Sequence, residues 1–126
     1  MSIWFLRVAV VYLVIGVVFG MVMGITEQFQ FANAHAHINL LGWATLALSG
    51  VIYTLFPSAG SNKLATVHFW LQNIGLPIFA VGLFLNDGAM GKGAIPIIST
   101  GAIVAILGII VFATNVLLNV KPAARA

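Results

Sequence analysis

No cysteine occurs anywhere in the 126 residues. That excludes disulfides, thiolate-held metals and any cofactor attached covalently through sulfur. Charge is almost as scarce. Five Lys or Arg and two Asp or Glu make up 6% of the chain, whereas a soluble domain carries roughly a quarter charged residues. So few polar groups could not cover a water-facing surface. The basic residues are scattered singly and form no patch, which excludes a nucleic-acid footprint. What fills the chain instead is apolar: 62% of its residues are hydrophobic. It reads as an all-α integral membrane protein whose first partner is lipid.

A hydrocarbon core of about 30 Å takes about 20 apolar residues as a helix. Four stretches qualify: residues 4–25, 30–56, 64–86 and 95–120. A backbone in lipid must satisfy its own hydrogen bonds, so each is expected to be a helix. The breaks between them, TEQFQ, FPSAGSNK and NDGAMGKGAIP, are polar or carry Gly and Pro. Pro57 closes the second span, Pro96 sits in the first turn of the fourth, and Pro77 should kink the third. The first span is too long an apolar run for a cleaved signal peptide, and no small-residue cleavage site follows it, so it reads as retained. No linker, low-complexity run or obvious repeat divides the chain. Residues 1–126 read as one four-helix membrane domain.

Orientation follows the bias of Lys and Arg. Arg7, Lys63, Lys121 and Arg125 share one side if both termini do, and Lys92 alone falls on the other. Both termini are therefore expected in the cytoplasm, with the chain integral to a bacterial inner membrane. The two acids, Glu27 and Asp87, then lie at the outer edge, and no carboxylate lies inside a span to relay protons.

Two of the three histidines stand together in ANAHAHINLLGW, near the outer, periplasmic edge of the second span. Successive residues of an α-helix turn by about 100°, so positions two apart point about 200° apart. His35 and His37 therefore serve two sites flanking one helix, or one ligates and the other packs. They do not form a single clamp. Polar groups inside a membrane are costly and by default mark function. Below His35 run Asn39, Gly42, Leu46 and Ser49. That stripe permits either close helix packing or room for a flat cofactor. Imidazole without thiolate favours heme or copper. Met21, Met23 and Met90 lie near the same edge, but methionine in an apolar span is ordinarily filler. His68 opens the third span on the other side, too far away to join the pair, and is read as structural or interfacial.

From the pair onward the chain reads AHAHINLLGWATLALSGVIYTLFP, then VHFWLQNIGLPIFAVGLFLNDG. This resembles the last helices of subunit I of the heme–copper oxidases, especially the cbb-type branch and its nitric oxide reductase relatives. The resemblance rests on His35, His37, Gly42, Trp43, Tyr53 and Pro57, then on His68, Phe69, Trp70, Ile74 and Gly75. It spans residues 32–90, and the fourth span matches by position alone. It implies that His35 is an axial ligand of one heme and His37 of another, on opposite faces of the second span. It also implies that the histidine of HFW is not a ligand. Basic residues beyond that helix hold heme propionates in the family, and Lys92 is the one residue placed to do so here. The heme would be of b type, since no cysteine can attach it.

The departures are large. The family subunit has about twelve spans, and this chain has four. Its copper-ligating histidines and its copper-site tyrosine have no counterpart here, so oxygen reduction by a single chain is not expected. Subunit I is built as three similar four-helix arcs, and this chain resembles one of them. A homotrimer would restore twelve spans, with His35 of one copy facing His37 of the next across a heme. Cyclic closure through one repeated contact is ordinary symmetry. The leading expectation is a membrane b-type cytochrome acting in electron transfer, or on NO or O2. The alternatives are a copper-binding or gas-sensing membrane protein and a structural or assembly subunit. The redox partner is not legible in the residues.

Overall fold

A computed structural model describes residues 1–122. It is all-helical, with four helices long and apolar enough to cross a membrane. Arg125, one of the four residues used to orient the chain, lies outside the described residues. Helix α1 covers Ser2–Thr26 and stops at Glu27, whose left-handed backbone (φ 54°) turns its N–H back to the Met23 carbonyl. Helix α2 covers Phe29–Leu55. Pro57 then opens the short turn Pro57–Gly60. Helix α3 covers Lys63–Asn86, and the Asn62 side chain caps it by accepting the Ala65 N–H at 3.1 Å. A 3-10 turn at Gly91–Ala94 leads into α4, Ile95–Asn119, with Pro96 in its first turn as expected. Pro77 lies inside α3 without ending it.

One element departs from a regular helix. Within α2 an α-helical stretch, Ala32–His37, passes into a π-helical stretch, Ile38–Ala44, and returns to α at Thr45–Leu55. A π turn widens the helix and displaces backbone partners. Two carbonyls in this stretch take side-chain donors. The Thr45 hydroxyl donates to the Leu40 carbonyl at 2.8 Å, and the Gln72 amide of α3 donates to the Leu41 carbonyl at 3.2 Å. The second bond crosses between helices and ties the widened turn to its neighbour.

The hydrophobic core cluster lies toward one end of the helices. There Phe5 and Ala9 of α1, Leu46 and Tyr53 of α2, and Ala65 and Phe69 of α3 form a buried cluster, with Phe112 of α4 against it. Beside it Asn115 is fully buried. Its amide donates to the Ala59 carbonyl at 2.9 Å, and its oxygen accepts from Asn62 and Asn119, each at 2.8 Å. In lipid there is no hydrophobic force between helices, so small residues and such bonds do the fastening. Helices α3 and α4 illustrate the first device. A Cβ at Gly82 would lie 2.7 Å from the Ile98 backbone nitrogen, and at Gly75 and Gly101 the facing backbone of Ala105 and Phe79 comes closer still. The outward residues, such as Val10, Val14, Val17 and Ile106, are apolar and exposed, as a lipid-facing surface requires.

Candidate functional site

Both histidines of the pair lie in the α-helical stretch just before the π turn. Their rings meet different neighbours. The His35 ring lies over α1: a Cβ at Gly20 would fall 2.6 Å from its Cε1, and Phe19 stands edge-on with ring centres 6.0 Å apart. The His37 ring meets α3, edge-on to Phe79 with ring centres 4.9 Å apart. The divergence expected from 100° per residue is therefore present, and each ring addresses its own side of α2.

The stripe below His35 is filled by protein. Asn39 packs on Gly16, and Gly42 receives the Tyr12 ring, 2.6 Å from where a Cβ would sit. Leu46 and Ser49 are buried. Of the two uses open to this stripe, close packing is the one the fold takes, because α1 occupies the face along its length. His35 itself is half-buried, and the Asn39 amide lies 3.2 Å from its Nδ1 and 3.5 Å from its Nε2.

His37 is differently placed. Its Nδ1 lies 2.8 Å from the Asn33 carbonyl oxygen, one turn earlier. A carbonyl can only accept, so Nδ1 carries the proton and Nε2 keeps the lone pair. This is the arrangement that fixes the tautomer and orientation of metal-ligating histidines. His37 lines a groove of about 220 Å³ with Leu41, Phe79, Ala102, Ala105 and Ile109, spanning α2, α3 and α4. The groove is smaller than the roughly 300–1,000 Å³ of pockets that enclose a ligand. A large flat cofactor seated on His37 would need a second surface to cover it.

Lys92 is exposed in the turn before α4, at the same end of the bundle as the pair. Met21 and Met90 are exposed and Met23 is buried against the bundle. Among the described residues no three of His, Cys, Asp or Glu come together as a metal cluster.

Of the two roles expected for His68, structural or interfacial, its surroundings fit the structural one. It is fully buried, and the Tyr53 hydroxyl lies 3.0 Å from its Nδ1. Phe5 and Phe112 flank it, each ring centre 4.9 Å away. Sequence reasoning missed this Tyr53–His68 pair because its walls come from α1 and α4, more than forty residues away on either side. The π turn also left no mark in the sequence.

Together the fold and the site describe a four-helix membrane protein with two oppositely directed imidazoles on one helix. No family model matches the chain, and no solved structure matches it. Among curated proteins the chain is similar to the Cbb3-type cytochrome c oxidase subunit CcoN1 of Stutzerimonas stutzeri, at 26% identity over 76 residues. The match covers 56% of this chain and 16% of that protein. This partial likeness supports the heme–copper oxidase superfamily and nothing narrower.

Proposed function

We propose that the chain is a membrane b-type cytochrome that holds heme through the histidines of α2. The observation that carries this reading is the His37 ring, with Nδ1 committed to the Asn33 carbonyl and Nε2 left as a ligand atom beside an apolar groove. Bound there, heme would supply one-electron transfer, its potential set by axial ligands and burial. With only one histidine holding it, such a heme could also take up NO or O2.

The residues take distinct parts. His37 ligates on the face of α3 and α4, and Phe79 keeps its ring from turning. Ala102 and Ala105 leave room for a flat macrocycle edge. His35 ligates on the α1 face only when the Asn39 amide leaves its ring nitrogens, so the two sites differ in how ready they are. Lys92 is a propionate partner at the same end of the bundle. A second histidine for each heme, and the cover for the shallow His37 groove, would come from a second copy of the chain in a closed homotrimer. Both termini face the cytoplasm and the pair faces the periplasm.

The position of His35 over Gly20 favours a second reading for that one residue, in which it fastens α1 to α2 and ligates nothing. Heme analysis of the purified protein separates the two. A His35→Ala variant with undiminished heme makes His35 a packing residue. A variant with reduced heme makes it a ligand. Copper without heme in the purified protein would replace the cytochrome reading altogether.

A further inference from the structure

Three side-chain atoms are buried without a hydrogen-bond partner among the described residues, and two belong to one neighbourhood: His68 Nε2 and Gln72 Oε1. Both side chains are fully buried. They stand four residues apart on α3, hence on one face and one turn from each other, with Cβ atoms about 5–6 Å apart. Both face α4. A Cβ at Gly108 would lie 3.2 Å from Gln72 Oε1, and Phe112, one turn further along α4, covers the His68 ring.

Their hydrogen-bonding characters are complementary. The Tyr53 hydroxyl, whose oxygen also takes a side-chain hydrogen bond from Asn115, donates to His68 Nδ1. The neutral imidazole then carries its proton on Nε2, a buried donor. Gln72 spends its amide nitrogen on the Leu41 carbonyl of the π turn, leaving Oε1 as a buried acceptor. Burying either atom unsatisfied costs about 1–3 kcal/mol. Buried polar groups of this kind are ordinarily satisfied by an internal water with two to four partners.

We propose that the seam between α3 and α4 holds a single buried water, accepting from His68 Nε2–H and donating to Gln72 Oε1. The water completes a hydrogen-bonded file from Tyr53 through His68 and Gln72 to the Leu41 carbonyl. It also fixes which way the Gln72 amide points. Only with Oε1 toward the water does the nitrogen reach Leu41, one turn from His37. A side chain at Gly108 would crowd Oε1. The site involves neither histidine of the pair and stands whether or not the chain binds heme.

Solid-state NMR of the full chain in lipid bilayers, with ¹⁵N-labelled histidine, tests it. The His68 resonances are assigned by their loss in His68→Phe. The expected result is a protonated Nε2 showing magnetisation transfer from water, and loss of that transfer in Gln72→Leu. A protonated Nε2 with no transfer from water in the unaltered protein overturns the proposal, as does transfer unchanged by Gln72→Leu. The unaltered protein decides the question alone if the Leu variant does not fold. As a second measurement, thermal unfolding of His68→Phe, Gln72→Leu and the double variant forms a cycle. The double variant should lose less than the sum of the two single losses. Strict additivity contradicts a shared water.

Discussion

His37 Nδ1 sits 2.8 Å from the carbonyl oxygen of Asn33, the residue one helical turn before it. That contact spends one ring nitrogen on the backbone and reserves the other. At His68 the Nδ1 lies 3.0 Å from the Tyr53 hydroxyl instead, and accepting from it would leave the ring proton on Nε2. The two histidines are therefore expected as opposite tautomers. In ¹⁵N spectra of the heme-free protein, His37 should be protonated at Nδ1 and His68 at Nε2. Nε2 protonation at His37 would remove the argument that it is poised as a ligand.

Gly20 is the recess that admits the His35 ring. A Gly20→Val side chain would enter the space of Cε1, 2.6 Å from its Cβ. Overpacking of this kind costs roughly 1–3 kcal/mol. The variant should unfold at lower temperature, and His35 should shift in the NMR spectrum. Gly24, one turn further on, has open space around it, so Gly24→Val should change neither. Equal effects at the two glycines would show that His35 does not depend on α1.

Asn115 joins three segments through one buried side chain. Interhelical hydrogen bonds in membranes are worth about 0.6–2 kcal/mol each. Asn115→Leu, which breaks three bonds, two of them to other segments, should therefore be destabilising by about twice that amount in a denaturation series. The neighbouring Thr114 donates only within its own helix, to the Ile110 carbonyl. Thr114→Val is expected to stay near the unaltered protein. A neutral Asn115→Leu would mean that the cluster does not hold α4 in place.

The shallow groove beside His37 predicts association. Native mass spectrometry from mild detergent should find three copies of the chain together, and His37→Ala should weaken the complex if heme bridges the copies. A monomer carrying a full complement of heme with two histidine ligands would overturn the trimer.

Much of the fold is legible in the sequence because lipid imposes few choices. Span length and the polar breaks gave the four helices to within a few residues, and Pro57 and Pro96 fall where helix starts tolerate them. The opposed directions of His35 and His37 follow from α-helical rotation alone, since both precede the π turn. What could not be read depends on partners far along the chain. The π turn has its Leu41 carbonyl held by Gln72, 31 residues on. His68 is buried by Phe5 and Phe112, which no local pattern links to it. The small-residue stripe was legible as a stripe, but only the position of α1 decides that it packs against a helix.

The central claim is that His37 holds heme. Its most direct test is the reduced-minus-oxidised visible spectrum of the detergent-purified protein beside that of His37→Ala and His68→Ala. The account predicts a b-type heme spectrum that is lost in His37→Ala and retained in His68→Ala. A heme spectrum of full intensity in His37→Ala, or no heme in the unaltered protein after expression with heme in excess, would contradict it.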